Sequence, residues 1–381
     1  MRFLHTADWH LGRYFHNVSL LEDQWNALSQ ILEIARDASV DAVVVAGDVY
    51  DRAVPPPDAV RMLDEIIAEL VIGLKVPVIM IAGNHDSGDR LNFASRLLAT
   101  TSCHIFGRLN GETAPVTIED ADGPVHFVGL PYAEPALVRE HTGAEELHSH
   151  DLAMSHLTAA AAKKIPRGHR SVLVGHCFVA GGSGSESERP LSVGGAGNVS
   201  ASCFAPFNYT ALGHLHRPQR SADGVHYSGS LLKYSFSEID HQKSVNIVEL
   251  DARGKATTER IPIKPMRDLR LVEGTLKKIL EGPAKGESPD DYLLVRLTDT
   301  HALLDPIGKL RAVYPNVLHL ERPGLERAAM TTEKSARPGQ GDKEILAAFF
   351  DEVTGETLSP DMEKAVLGVI DDVRRTQREA T

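Results

Sequence analysis

Residues 41–51 read DAVVVAGDVYD, and this stretch decides the expected fold. Its run of valines predicts a buried β-strand, and Gly47-Asp48 then places a carboxylate where that strand ends. Four other apolar strands are followed in the same way by Asp, Asn or His. The five polar segments are Asp8-Trp9-His10, Gly47-Asp48, Gly83-Asn84-His85-Asp86, Gly175-His176 and Gly213-His214-Leu215-His216. Functional groups collect outside the carboxyl ends of strands in α/β sheets, so we expect these segments to converge on one crevice.

Chance is the alternative interpretation of each segment taken alone. A single Asp-x-His or Gly-Asp arises often, and an isolated histidine is more often a hydrogen-bonded core residue than a ligand. Five such segments in order, each at a strand end and all within the first 216 residues, make coincidence a poor explanation. We therefore predict one site built from all five.

The composition is that of a globular chain. At 381 residues, 42% hydrophobic and 24% charged, it suits two to three domains and excludes wholesale disorder, a collagen-like repeat or a coiled-coil rod. Neither an apolar run long enough for a transmembrane helix nor a signal peptide is found, so we expect a cytoplasmic protein with no membrane partner. Three cysteines without a Cys-x-x-Cys spacing argue against a disulfide framework and a thiolate zinc site.

The net charge is −12, from 40 Lys and Arg against 52 Asp and Glu. A protein of this charge that acts on DNA must concentrate its basic residues or borrow positive charge from metal ions or a partner. The net charge therefore neither establishes nor excludes nucleic acid as a substrate.

Four regions follow from the pattern of strands and breakers. Residues 1–265 alternate β-branched runs with helical patterns, as in stacked βαβ units or in a two-layered sheet with helices outside. Residues 266–322 are predicted to be a small β-α-β-α-β domain, residues 323–342 a polar linker, and residues 343–381 two amphipathic helices. Within the first region, the Gly- and Ser-rich residues 181–200 predict a surface loop without packed structure.

Seven side chains at the strand ends offer nitrogen or oxygen, and none offers sulfur. They are Asp8, His10, Asp48, Asn84, His176, His214 and His216. Seven ligands exceed what one catalytic ion needs, so the set predicts two divalent ions, with Asp48, central in the order, as the natural bridge. Imidazole, carboxylate and amide oxygen suit manganese or iron better than calcium. Two divalent ions carry more positive charge than the two carboxylates Asp8 and Asp48 neutralise. The remaining positive charge can attract and polarise a phosphate, so the site favours phosphoester hydrolysis.

His85 lies beside the ligand Asn84 and is not needed as a ligand itself. It is therefore placed to protonate the leaving oxygen or to neutralise charge that develops in the transition state, and Asp86 could hold its ring. A purely structural role for His85 is the alternative.

The order of these motifs resembles that of the calcineurin-like metallophosphoesterase superfamily, and in detail that of its bacterial double-strand-break repair nucleases. The matching stretches are Asp8-Trp9-His10-Leu11-Gly12, Ala46-Gly47-Asp48-Val49-Tyr50-Asp51, Gly83-Asn84-His85-Asp86-Ser87, Ser185-Glu186-Ser187-Glu188-Arg189-Pro190 and Ala211-Leu212-Gly213-His214-Leu215-His216. The resemblance extends over almost the whole chain. It implies an α/β fold, a four-layer metallophosphoesterase β-sandwich flanked by helices, with a small α+β capping domain and C-terminal helices.

The resemblance also implies a ligand division and an activity. The first ion would take Asp8, His10, Asp48 and His216, and the second Asp48, Asn84, His176 and His214. The implied cofactors are two Mn(II) ions. The implied reaction is hydrolysis of DNA, as a double-strand exonuclease and as an endonuclease on single strands and hairpins.

The chain departs from two relatives of this pattern. Archaeal and eukaryotic nucleases of the family carry a His shortly after the Gly-Asp, whereas Asp51 follows here, which leaves a second phosphate-contacting His unassigned. Asp51-Arg52 is similar to Ser/Thr protein phosphatases, but those would read Gly-Asn-His-Glu in place of Gly83-Asn84-His85-Asp86. A protein phosphatase is therefore a less favoured interpretation.

The two C-terminal helices each carry an apolar stripe that needs a partner surface. The stripes comprise Ile345, Leu346, Phe349, Phe350 and Val353, then Met362, Ala365, Val366, Val369, Ile370 and Val373. Packing on the protein's own domains is one alternative. The resemblance implies instead that they dock on the coiled-coil base of an SMC-like ATPase, and it also implies a homodimer. Residues 342–381 contain ten acidic and five basic residues, so this tail is not expected to bind DNA.

Two other functions stay open. One is a small-molecule or cyclic-nucleotide phosphodiesterase of the same superfamily, which would not need the additional residues after 265. The other is a catalytically inactive scaffold, which should have lost ligands, whereas all seven are present.

Overall fold

The structure is a computed structural model that divides into two compact units, Met1–Met266 and Arg267–Thr381. The residues it describes are 1–109, 114–191, 197–323, 342–354 and 357–379. The predicted linker at 323–342 lies, except for its two end residues, outside the described residues.

The first unit contains two six-stranded sheets. In the first sheet, four neighbouring strands are parallel, namely Arg2–Thr6, Ala42–Val45, Val78–Ile81 and Cys103–Phe106. Two antiparallel strands, Ser244–Leu250 and Ala256–Pro262, extend this sheet beyond Arg2–Thr6. Helices Leu21–Asp37 and Pro57–Ala68 connect the parallel strands. This half of the unit therefore contains the βαβ units that the sequence predicts.

The second sheet has parallel strands at its centre and an antiparallel strand at each edge. Its order is Gln219–Ala222, Val225–Tyr227, Tyr209–Gly213, Arg170–His176, Gly123–Gly129 and Val116–Asp120. Two of these strands correspond to apolar runs that predict strands from sequence, at 171–174 for Arg170–His176 and at 209–212 for Tyr209–Gly213. Edge strands such as Val116–Asp120 alternate between exposed and half-buried residues, so they carry a much weaker apolar signal.

The remaining elements of the first unit are mostly short. The helices are Gly88–Leu91, Ser95–Leu98, Pro135–Thr142 and His150–Ala162, with 3₁₀ turns at Ala99–Thr101, Ala201–Phe204 and Phe236–Glu238 and a π-helical turn at Glu69–Gly73. Two-residue strands pair Tyr14–Phe15 with Val18–Ser19 and Phe178–Val179 with Asn198–Val199.

The two sheets pack face to face. The ring of Phe3 in the first sheet meets Phe127 and Tyr209 of the second sheet edge-on, at 5.6 and 5.5 Å between centroids. On the outer face of the second sheet, Leu173 packs in one cluster with Met154 of helix His150–Ala162. Burial of each large apolar side chain contributes roughly 1.5–3 kcal/mol. The layers of helix and sheet confirm the expected α/β sandwich.

The second unit contains a parallel three-stranded sheet with its own core. Its strands are Leu269–Gly274, Tyr292–Leu297 and Val317–Glu321. Helices Leu276–Ile279 and Pro306–Arg311 connect them in the predicted β-α-β-α-β order. Asp305 caps the second of these helices, because its carboxylate accepts a hydrogen bond from the backbone N of Gly308 at 3.0 Å.

Helices Asp342–Thr354 and Pro360–Glu379 follow this sheet, as predicted. None of the side chains described in the two helices is buried. The apolar Ile345, Met362 and Val369 are 54%, 52% and 62% exposed. Among the helices of the described ranges, none is long and apolar enough to cross a bilayer.

Candidate metal centre

The ends of five strands bring the seven predicted ligands together. Asp8 and Asp48 follow the neighbouring parallel strands Arg2–Thr6 and Ala42–Val45, and Asn84 follows the next one. His176 ends a strand of the facing sheet, and His214 directly follows the strand beside it. Because the carboxyl ends of parallel strands lie at one edge, both sheets present their ligands to the same crevice.

One group of ligands surrounds His10. Its Nε2 lies 3.1 Å from Nε2 of His216 and 3.7 Å from Oδ2 of Asp48. Ligand atoms of Asp8, His10 and His216 all lie within 4.8 Å of one another. Each of these four side chains is almost completely buried. They are the four that the resemblance implies for the first ion.

A second group surrounds His176. Its Nε2 lies 2.9 Å from Oδ1 of Asn84 and 3.5 Å from Oδ2 of Asp48. Nδ1 of His214 is 3.1 Å from the same oxygen of Asn84. Nδ1 of His176 donates to the carbonyl of Ala46 at 2.9 Å, which leaves Nε2 directed into the cluster. Oδ2 of Asp48 therefore lies between the two groups, where a bridging carboxylate is needed.

A buried oxygen without a partner shows that these residues fit a divalent cation. Oδ2 of Asp8 is buried and has no hydrogen-bond partner among the described residues. Its other oxygen accepts from the backbone N of His214 at 2.8 Å. A buried carboxylate oxygen without a partner costs free energy, and a bound cation would remove that cost. The oxygen and nitrogen donors around it match the preferences of Mn(II) and Fe(II).

Several ligands have strained backbone conformations. Asp8, His10 and Asp48 adopt φ values of 51°, 47° and 47°, in the left-handed region that non-glycine residues seldom occupy. Such conformations cost about 1–3 kcal/mol each and persist where surrounding structure enforces them. A glycine is also required before Asn84, because a Cβ on Gly83 would overlap the carboxylate of Asp48.

His85 borders both groups without completing either. Its Nδ1 donates to the carbonyl of Asp51 at 2.8 Å, which leaves Nε2 facing the centre, 4.0 Å from Oδ2 of Asp48. Asp86 does not hold this ring, contrary to the prediction from sequence. Its carboxylate instead accepts from the backbone N of Val49, Tyr50 and Gly83, at 3.1, 2.9 and 2.8 Å. Asp86 thus joins the loops that carry Asp48 and Asn84, because three backbone amides lie closer to it than the imidazole.

Burial and mutual charge move the pKa values of these groups in different directions. Burial raises the pKa of Asp8 to about 7. Burial alone would also raise the pKa of Asp48, but His176 and His10 outweigh it and hold that pKa well below its usual range. Burial lowers the pKa of His10 well below its ordinary value. Asp48 is therefore ionised and His10 neutral near pH 7, and these are the forms that bind cations.

Ser187 and Glu188 are packed against a ligand, so the prediction of an unpacked surface loop is wrong for this part of residues 181–200. Oγ of Ser187 lies 2.6 Å from Nδ1 of His216, and Glu188 accepts a hydrogen bond from the backbone N of His216 at 2.7 Å. Composition could not show these contacts, because they join positions 29 and 28 residues apart. Residues 192–196 of the predicted loop lie outside the described residues.

Gln24 is a supporting residue that the sequence reasoning missed. Its Nε2 donates to the carbonyl of His10 at 2.7 Å, and its Oε1 accepts from the backbone N of Gly12 at 3.0 Å. It thereby fixes the loop in which His10 has its unusual backbone. The sequence does contain a signal for this role: Gln24 is a polar residue four positions before Leu28, and so it lies on the buried face of helix Leu21–Asp37.

The chain is similar to several known proteins. Residues 1–218 match the family model for calcineurin-like phosphoesterases, and residues 265–373 match one described as the type 5 capsule protein repressor C-terminal domain. The protein named as the SbcD component of nuclease SbcCD in Staphylococcus epidermidis is 32% identical over 94% of this chain and 95% of its own length. Its namesake from Staphylococcus saprophyticus is 35% identical over 96% of both chains. A solved dimetal phosphatase from Danio rerio has 14% identity and a TM-score of 0.41, covering 70% of this chain and 99% of its own.

Proposed function

Because the chain belongs to the family of SbcD nuclease subunits within the calcineurin-like phosphoesterases, we propose that it is a metal-dependent DNA nuclease. Its substrates are duplex ends, as an exonuclease, and single strands and hairpins, as an endonuclease, in DNA repair and recombination. The observation that carries this proposal is the position of the Asp48 carboxylate between two groups of nitrogen and oxygen ligands, 3.7 Å from His10 and 3.5 Å from His176.

The ligand sets follow the two groups. Asp8, His10, Asp48 and His216 would hold one ion, and Asp48, Asn84, His176 and His214 the other. Two divalent ions, Mn(II) in this proposal, supply when bound a water of lowered pKa and positive charge beside the phosphate oxygens. The chain's own contribution is a rigid and nearly solvent-free set of donors, with Asn84 the only ligand that is not fully buried.

His85 serves the leaving oxygen in this proposal. Its Nδ1 proton is held by the Asp51 carbonyl, so Nε2 is the atom that would carry a proton to the departing oxygen. Burial lowers the pKa of His85 while the Asp48 carboxylate opposes this shift. The ring is therefore neutral near pH 7 without substrate, and the negative charge of a phosphodiester beside it favours the protonated form.

Two clefts next to the ligands support a polymeric substrate over a small one. A cleft of 240 Å³ includes Arg189 and reaches the second ligand group at His214. Another, of 380 Å³, includes Arg13 and Tyr234, and the ring of Tyr234 lies 5.4 Å from that of His10 in the first group. Phe178 lines the first cleft, and Phe15 and Phe236 line the second. Arginines and aromatic rings are the groups that bind the phosphates and bases of a nucleic acid strand.

The test compares three substrates with Mn(II) present: linear duplex DNA, hairpin DNA and bis(p-nitrophenyl) phosphate. We expect cleavage of all three. Hydrolysis of the small diester alone would favour a small-molecule phosphodiesterase, and hydrolysis of none would favour an inactive scaffold.

The C-terminal helices are proposed to bind an SbcC-type ATPase subunit. Their apolar residues Ile345, Met362 and Val369 are each more than half exposed. Exposed apolar surface of this kind is typical of a site that binds another protein. The described core of the adjoining three-stranded sheet contains no residue of either helix, so this core does not cover them. The homodimer implied by the resemblance is a further proposal, and its mass in solution would test it.

Deletion of residues 341–381 is expected to abolish co-purification with the ATPase subunit. The deletion removes several apolar side chains, each worth roughly 1.5–3 kcal/mol when buried in a partner groove. Mn(II)-dependent cleavage of bis(p-nitrophenyl) phosphate should continue, because every predicted metal ligand precedes residue 217.

Two point variants of the full chain give a matched comparison. Val369→Asp places a charge on the exposed apolar stripe and should weaken the complex, whereas Lys364→Asp changes a charged, exposed position of the same helix and should not.

The deletion of residues 341–381 could also contradict the proposed docking. If the truncated protein still binds the ATPase subunit, or fails to fold, the helices belong to the protein's own core.

A further inference from the structure

The imidazole of His216 is held by a buried carboxylate on the side facing away from His10. Oε1 of Glu238 lies 3.1 Å from Nδ1 of His216, and Glu238 is completely buried. The hydroxyl of Ser187 bridges the two groups: it donates to Oε1 of Glu238 and lies 2.6 Å from Nδ1 of His216. Both contacts are made to the ring nitrogen that faces away from the ligand cluster.

Lys243 holds the carboxylate in place. Its Nζ lies 2.6 Å from Oε2 of Glu238 and also donates to the carbonyl of His216 at 2.8 Å and to the hydroxyl of Ser230 at 2.9 Å. Oε2 of Glu238 accepts a further hydrogen bond from the backbone N of Tyr234 at 3.1 Å. Both oxygens of Glu238 are therefore satisfied, and Lys243 compensates the charge of this buried carboxylate.

We infer that Glu238 is a positioning residue for the first metal site, acting through His216. It accepts the Nδ1 proton of His216 and so fixes the tautomer in which Nε2 carries the lone pair. That Nε2 lies 3.1 Å from Nε2 of His10, at the point where both rings converge. This inference rests on the proposed function and adds to it a residue with no motif signal of its own.

Glu238 orients a ligand of the first metal site and none of the second. Its carboxylate contacts His216, whereas the imidazole of His176 in the second group is oriented by the carbonyl of Ala46. A purely structural role would lower stability without distinguishing between the two metal sites. A positioning role predicts a selective loss in the affinity of the site that contains His10 and His216.

The experiment measures Mn(II) binding to the full chain by titration calorimetry, and the Mn(II) environment by electron paramagnetic resonance, without DNA. The wild type should bind two ions and give the spin-coupled signal of a bridged pair. Glu238→Gln should bind Mn(II) roughly 10–100-fold more weakly at one site, the range typical for groups that support a ligand. Its second site should keep its affinity, so that one equivalent of Mn(II) gives an uncoupled signal.

Asp120→Asn is the matched control. It makes the same carboxylate-to-amide change in another ion pair of the first unit, where Arg170 lies 2.9 Å from Asp120. It should leave both Mn(II) affinities unchanged. Equal affinities in Glu238→Gln and the wild type, or equal weakening in both variants, would overturn the inference.

Ser187→Ala keeps the inference testable if Glu238→Gln does not fold. This variant leaves the Glu238–Lys243 pair intact and removes only the hydroxyl between Glu238 and His216. We expect a several-fold weakening at the same site, and an unchanged affinity would count against the inference. A wild type that binds two ions but leaves DNA intact would contradict the proposed nuclease alone, whereas a wild type that binds no Mn(II) would contradict both.

Discussion

Replacement of Asp48 is expected to abolish hydrolysis and to weaken the binding of both metal ions. Its Oδ2 lies 3.7 Å from His10 and 3.5 Å from His176, so one carboxylate serves both ligand groups. The loss of Mn(II) affinity should exceed the roughly 10–100-fold typical of groups that only support a ligand. Calorimetric titration with Mn(II) and cleavage of linear duplex DNA would measure the two effects.

Asp48→Asn is a cleaner variant than Asp48→Ala. Asp48 has a φ of 47°, which Asn tolerates far better than Ala, and its Oδ1 accepts a hydrogen bond from the backbone N of His85 at 2.8 Å. An amide oxygen can keep that hydrogen bond while the bridging charge is lost. Wild-type cleavage by either variant would show that Asp48 does not bridge two ions in the working enzyme.

His85→Ala is expected to remove turnover while both ions stay bound. Its Nε2 lies 4.0 Å from the Asp48 carboxylate and its Nδ1 is held by Asp51, and the role proposed for it is proton transfer rather than ligation. Loss of a general acid typically lowers the rate roughly 10²–10⁴-fold. We expect kcat on DNA to fall by that amount, with Mn(II) stoichiometry and affinity unchanged.

The leaving group provides an internal control for this variant. The p-nitrophenolate ion leaves without a proton far more readily than a sugar hydroxyl does, so the loss with bis(p-nitrophenyl) phosphate should be much smaller than the loss with DNA. Equal losses on both substrates would argue against acid catalysis. Reduced Mn(II) binding in His85→Ala would instead identify His85 as a ligand or a structural residue.

Much of the centre follows from neighbouring positions in the chain. Strand Arg2–Thr6 shortly precedes Asp8, and the valine run within residues 41–51 forms strand Ala42–Val45 shortly before Asp48. Polar residues placed immediately after such strands can be recognised without knowing how the strands pair. This is why the sequence indicates all seven side chains that the structure brings into the two ligand groups.

Strands without a clear run of apolar residues could not be predicted from the sequence. Val116–Asp120 alternates exposed and half-buried residues and pairs antiparallel with Gly123–Gly129 at the edge of the second sheet. Its place depends on a partner strand rather than on its own hydrophobicity. The same limit applies to the short segment Phe178–Val179, which pairs with Asn198–Val199 near the end of the Gly- and Ser-rich stretch.

The sequence by itself determined which atoms can bind metal, because an apolar strand and the polar residue that ends it are neighbours in the chain. Only the tertiary structure decided what holds those atoms. His85 is oriented by the carbonyl of Asp51, 34 residues away, and not by the adjacent Asp86, while Glu238 reaches His216 across 22 residues. A buried polar group bonds to whichever partner packing brings within about 3 Å, and that choice is made only when the two sheets pack against each other.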